Sequence, residues 1–223
     1  MCKNDFFCPY LKALTWQRRA AEERIADKRK DCLLLVEHEP VITLGSSSDR
    51  SHLLIPEEEF EKKGIKLVET DRGGDVTYHG PGQLVIYPIF KLLPPYRDVK
   101  RYVRLLEEAA IRIFANWGLE AFRVKGKTGV WTPAGKIAQI GVRIKRWVTY
   151  HGISLNIAPN MEAFSLIVPC GLHGDKVTSM KDLLGKRSFP SLEAVATHAV
   201  QVFRELFQNE FETIRGSEIR DGS

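Results

Sequence analysis

Residues 136–157, KIAQIGVRIKRWVTYHGISLNI, decide the fold class. Alternation by twos from Lys136 puts Ala138, Ile140, Val142 and Ile144 on one face and leaves Arg143 and Lys145 on the other. That is the pattern of a strand with one side buried. In the second half His151 has the parity of Ile153, Leu155 and Ile157, so the stretch reads as one long two-stranded element.

Upstream, residues 10–30 read as a helix, and CLLLVEHE and VITLG as strands separated by Pro40. Residues 56–63 read as a short helix opened by Pro56, then IKLVET and LVIYPIF as strands. A longer helix is expected from Asp98 to Trp117, with Val103, Leu106, Ala110, Ile113, Phe114 and Trp117 on one face and Gly118 as its stop. AFRVK and GVWTP read as short strands before the central element. A last helix is expected from Ser191 to Phe207, carrying Leu192, Val195, Ala196, Ala199, Val202, Phe203 and Leu206 at helical spacing. Strands that follow one another with few helices between them argue for an α+β fold rather than a βαβ repeat.

The 223 residues, 43% hydrophobic and 27% charged, have a globular composition, and one domain spanning residues 1–223 is expected. No run approaches ~18 apolar residues, and MCKNDFFCPYLKALTWQRR lacks the apolar segment of a secretory signal, so a soluble, cytoplasmic protein with no membrane partner is expected. Cys2, Cys8, Cys32 and Cys170 show neither CxxC spacing nor companion histidines at zinc-finger intervals, so no metal is expected. A formal charge of +5 favours an acidic partner. No RNP, KH or helix-turn-helix signature is present, so that partner is not expected to be nucleic acid. Neither GxGxxG nor a P-loop is present.

Cys170 stands in SLIVPCGLHGDKVTSM between Pro169 and Gly171, turn residues that lift a thiol out of a core. A free thiol is only a few per cent thiolate at neutral pH and needs an activator. Lys136 starts its strand on the apolar side, which means either a stem snorkelling from a core edge or an ammonium held in a pocket. His79 lies in RGGDVTYHGPGQ, whose glycines permit close backbone approach and free N–H groups suited to an oxyanion. His79 and His151 each read by themselves as structural hydrogen-bonders, with His151 a candidate auxiliary base.

In this order, RGGDVTYHGPGQLVIYPI, GKIAQIGVRI, YHGISLNI and PCGLHGDKVTSM closely resemble the octanoyltransferases of lipoate biosynthesis, also called lipoyl(octanoyl) transferases. With HEPVITLG upstream, the likeness covers roughly residues 30–185. It implies a mixed β-sheet flanked by helices, like the catalytic domains of biotin and lipoate protein ligases, and a cysteine/lysine acyltransferase that uses no cofactor, neither ATP nor metal. By that resemblance Cys170 is the acyl-thioester nucleophile and Lys136 the residue that activates it. Arg72, Gly73, Gly74, Asp75, Val76, Thr77, Tyr78 and His79 match a first substrate-binding block, Gln139, Ile140 and Gly141 a second, and Gly152, Ile153 and Ser154 a third. The implied partners are octanoyl-acyl carrier protein as donor, and as acceptors the apo lipoyl domains of 2-oxoacid dehydrogenase complexes and the glycine-cleavage carrier protein. Two other readings stay open. An ATP-dependent lipoate or biotin ligase would not need Cys170, and no GRGR-type phosphate loop is present. A noncatalytic acyl-carrier-binding module would account for the charge but not for the cysteine and lysine together.

Overall fold

The computed structural model describes residues 5–94, 97–169, 174–185, 188–208 and 210–219. The strands are β1 (Cys32–Val36), β2 (Val41–Leu44), β3 (Lys66–Glu69), β4 (Val76–His79), β5 (Gln83–Ile89), β6 (Val130–Thr132), β7 (Gly135–Lys145), β8 (Val148–Asn156) and β9 (Glu212–Arg215). The helices are α1 (Tyr10–Ile25), α2 (Glu57–Lys62), α3 (Val99–Ala115), α4 (Met180–Leu184) and α5 (Leu192–Phe207). Among the described residues the strands form a six-stranded sheet, β6-β7-β8-β5-β1-β9, and a three-stranded sheet, β3-β2-β4. β1 runs parallel to β9 and β2 parallel to β3, whereas the other pairs are antiparallel. The expected α+β class with a mixed sheet flanked by helices is therefore observed.

The central element is the β7–β8 hairpin, paired from Ala138 opposite Leu155 to Lys145 opposite Val148. Arg146 and Trp147 join its strands with φ of +48° and +65°. Both residues thus lie in the left-handed region, as the tight turn favoured by strand twist requires. Strict alternation fails at the start of β7. Val130 faces Ala138 but Trp131 faces Lys136, so Ile137 is an extra residue. Ile137 and its neighbour Ala138 are both fully buried in the main core, because a bulge breaks the period of two.

The main core lies between one face of the larger sheet and helices α3 and α5. Asp98 caps α3 by accepting from the Arg101 amide at 3.1 Å, and Ser191 caps α5 by accepting from Ala194 at 3.2 Å. Leu106, Ile113 and Phe114 of α3 are fully buried, each contributing about 1.5–3 kcal/mol. The opposite face is covered by α1, whose Ala13, Trp16 and Ala20 meet Leu34, Val85 and Tyr87. β1 and β5 are buried along their whole length, which is why they read as unbroken apolar runs.

Two local expectations are corrected, and two strands lie where none was expected. α1 stops at Ile25 rather than residue 30, where Asp27 adopts φ +55° and Arg24 turns to pair with Asp27 and Asp31. AFRVK forms only a single bridge, Phe122 to Trp131. Val76–His79, hidden among glycines, is a strand, and the short polar edge strand β9 had no period to betray it. No helix among the described residues is long and apolar enough to cross a membrane.

Candidate active site

Segments far apart in the chain converge on one recess of about 40 Å³. The loop before β4 supplies Arg72, Gly74 and Asp75, β4 supplies Thr77 and His79, β7 supplies Gln139, Ile140 and Gly141, and β8 supplies His151, Gly152, Ile153 and Ser154. The Gly73 amide donates to Val142 O at 2.9 Å, fastening the loop to β7, and Gly141 pairs with Gly152 across the hairpin. Gly73 itself does not line the recess. Alternation along β4 turns Val76 and Tyr78 the other way, into a cluster with Ile42 and Phe60.

β8 carries an unusual backbone conformation where it meets the recess. His151 has φ +54°, a strained value for a residue with a β-carbon. Its amide donates to Gln17 Oε1 of α1 at 2.9 Å. At the next residue a β-carbon would stand 2.1 Å from Ile86 O, so position 152 admits only glycine. The helix packed behind the sheet thus helps hold the distortion that shapes the recess.

Arg72 is buried, and its guanidinium donates to Thr43 Oγ1 (3.0 Å), Thr43 O (2.6 Å), Asp75 O (2.6 Å) and Gly73 O (3.2 Å). It clamps the glycine turn to β2 with charge-assisted bonds. Asp75 accepts from the Asp49 amide (3.1 Å) and contacts His52 Nδ1 at 2.5 Å. His52 O in turn accepts from the Val168 amide at 2.8 Å, so the first block is linked to the chain leading to Cys170.

Tyr10, Tyr87 and Val85 also line the recess, and His38 supports them from behind. Motif reading missed all four, because single aliphatic, aromatic or histidine residues in buried segments look like core. His38 Nδ1 is 2.7 Å from Cys8 O and must donate to it, which leaves Nε2 to accept from the Tyr87 hydroxyl at 2.8 Å. His79 stacks on Tyr10 and lies edge-on to His38. Burial pushes His38 down to about 4 and His79 to about 3, with the charge of Arg72 a lesser contributor at His79. Burial also lowers His151 against the opposing pull of Asp71, whose carboxylate takes the His151 Nε2 hydrogen bond at 3.1 Å and is held far below its usual range. Tyr10 is raised to about 12 by burial. At neutral pH the recess therefore presents neutral imidazoles and protonated phenols.

A pH dependence of stability follows. The unfolded chain takes up protons on His38 and His79 below about pH 6.5, whereas the native rings do so only near 4 and 3. Their contribution is complete above pH 6.5 and is lost as pH falls toward those values. Acidification from pH 7 to 5 is expected to remove on the order of 3 kcal/mol from these two rings, read as a lower urea midpoint. A midpoint unchanged over that interval would contradict two neutral buried histidines.

Lys136 is 2% exposed, and its Nζ lies 4.9 Å from the centre of the Trp131 ring. Its stem runs over Gly129, where a β-carbon would come within 2.6 Å of Lys136 Cε and the backbone has φ +131°. Of the two sequence alternatives, snorkelling or a pocket, the structure shows the pocket. Cys170 lies outside the described residues, but the chain on each side of it is anchored. Leu166 O accepts from Leu54 N at 2.9 Å, and Val168 N donates to His52 O. Beyond it, Lys136 N donates to Lys176 O (2.8 Å) and Lys136 O accepts from Thr178 N (2.9 Å). No cluster of metal-ligating side chains occurs among the described residues.

The family model for the lipoyl protein ligase A/B catalytic domain matches residues 9–204. The chain is 50% identical over 180 residues to an octanoyltransferase of Roseiflexus sp. (strain RS-1), covering 79% of this chain and 75% of that protein. It is 46% identical over 210 residues to an octanoyltransferase of Caldicellulosiruptor bescii, covering 91% and 92%. Among solved structures, it resembles a lipoate-protein ligase A bound with ATP at a TM-score of 0.71 and 18% identity, covering 95% of this chain and 88% of the other. A bi-partite lipoate protein ligase of Thermoplasma acidophilum gives a TM-score of 0.66 at 18% identity, covering 92% and 84%. The structural likenesses speak for the fold alone.

Proposed function

The chain belongs to the lipoyl protein ligase A/B catalytic-domain family, and from that membership we propose that residues 1–223 act as a single catalytic domain carrying octanoyl as a thioester on Cys170. Octanoyl transfer in protein lipoylation, an acyltransferase activity, is supported by the curated relatives. The donor in this reading is octanoyl-acyl carrier protein and the acceptor is the lysine of an apo lipoyl domain.

In the first half-reaction the Cys170 thiolate attacks the thioester carbonyl carbon. Backbone N–H groups of the glycine-rich region meet the oxyanion, the bond from carbon to carrier sulfur breaks, and the carrier thiolate takes a proton. In the second, the acceptor amine attacks the octanoyl-Cys170 carbonyl, the bond to Sγ breaks, and the amine loses a proton as the amide forms. Replacing a thioester by an amide is downhill, so neither step requires ATP. Lys136 stabilises the thiolate and relays the proton in both halves. The net charge of +5 favours encounter with an acidic carrier.

The observation that supports this reading best is the backbone tie between Lys136 and residues 176–178, which holds the chain just beyond Cys170 against the strand bearing the lysine. The test is incubation with octanoyl-carrier protein, without ATP, followed by intact mass. Gain of one octanoyl group, discharged by apo lipoyl domain with ping-pong kinetics and slowed at high salt during acylation, is the expected result. Acylation that requires ATP and free fatty acid would assign a ligase instead, and intersecting double-reciprocal lines with no trapped adduct would mean direct transfer in a ternary complex.

A further inference from the structure

Thr77 and Gln139 line the recess, each is 5% exposed, and neither Thr77 Oγ1 nor Gln139 Nε2 has a hydrogen-bonding partner among the described residues. The Gln139 amide is oriented by Ser154 Oγ, which donates to Oε1 at 2.8 Å and leaves Nε2 as the spare donor. His79 adds an acceptor. Gln83 Nε2 donates to Asn156 Oδ1 (2.9 Å) and Tyr78 O (3.3 Å), so Gln83 Oε1 must accept from His79 Nδ1 (2.6 Å), and the His79 proton sits on Nδ1. Its Nε2 is then a lone-pair site.

Buried polar atoms without a partner are uncommon in folded proteins and call for an explanation. A recess of about 40 Å³ that brings such atoms together has room for a water, which satisfies them. Beside them stand Val85, Ile140 and Ile153, walls suited to hydrocarbon. We propose that Thr77, Gln139 and His79 form a hydrated stop that limits the length of the acyl chain, an inference that rests on the octanoyl-transfer reading. Each methylene moved from water to an apolar wall gains about fourfold in affinity. Stripping water from an unpaired buried donor costs about tenfold or more. The tail is drawn in along the apolar walls, and the penalty outweighs the gain once it covers one of these atoms.

The experiment measures single-turnover acylation from hexanoyl-, octanoyl-, decanoyl- and dodecanoyl-carrier protein. Thr77→Val keeps the shape and removes an atom that no described protein group bonds. Gln139→Met combined with Ser154→Ala removes the spare donor without leaving a new unpaired hydroxyl. Thr77→Ser keeps the hydroxyl. The decanoyl-to-octanoyl rate ratio is expected to rise about tenfold, or 1.4 kcal/mol, in the first two and to stay near wild type in Thr77→Ser. Were Thr77→Val and the double variant both to slow every chain length equally, these atoms would grip the thioester and not the tail, and the proposal would fall. Wild-type enzyme that takes up no octanoyl group at all would instead refute the proposed function.

Discussion

Cys170→Ala is expected to form no octanoyl-enzyme and to lose transfer activity by at least about a thousandfold, the scale seen when a covalent nucleophile is removed. The other described cysteines are poor substitutes. Cys8 and Cys32 are 1% and 0% exposed, and the Cys8 thiol donates to Pro9 O at 3.6 Å. Burial pushes the Cys32 thiol up to about 12, leaving almost no thiolate at neutral pH. Cys8→Ser and Cys32→Ala should therefore keep acylation per folded molecule, with stability the quantity that suffers. Peptide mapping after a brief pulse of octanoyl-carrier protein should find the label on Cys170 alone. Full transfer activity in Cys170→Ala would remove the thioester mechanism.

Lys136→Met should lower turnover by about a hundredfold or more, the range over which a positioned proton-transfer group acts. Methionine is the informative choice because it preserves much of the stem over Gly129 and Trp131, so packing is largely kept while the ammonium is lost. The same variant should alkylate at Cys170 more slowly at neutral pH, since the thiolate loses its cation. Lys136→Arg should rescue poorly. Guanidinium keeps the charge but does not release a proton, and the passage beside Gly129 is already close enough that a β-carbon there would stand 2.6 Å from Cε. Near-normal turnover in Lys136→Arg would reduce Lys136 to an electrostatic partner and shift the proton-transfer role to another group.

The elements that sequence reading placed well are those whose burial is one-sided and long. α3 and α5 announce themselves because a helix packed on a sheet repeats its apolar residues every three to four positions, and the β7–β8 pair because eight residue pairs, Ala138–Leu155 to Lys145–Val148, keep one register. The site blocks were legible as motifs, but their division of labour was not. Within one block Thr77 and His79 face the recess while Val76 and Tyr78 face a separate cluster. Tyr10, His38 and Tyr87 carried no signal, since a buried hydrogen-bonded ring and a packing ring look alike in a string of letters.

By itself the sequence determined the class of the fold, the membership of the family and the types of residue available for acyl transfer, because these depend on local periodicity and on short motifs. Tertiary structure decided which atoms meet. The bulge at Ile137 interrupts the alternation beside Lys136, and the left-handed His151, which lines the recess, has its amide bonded to Gln17 of α1. Thr77 Oγ1 and Gln139 Nε2 are left in that recess without partners among the described residues. Each of these outcomes arises from contacts between segments many residues apart, where packing overrides the local preferences that a sequence pattern records.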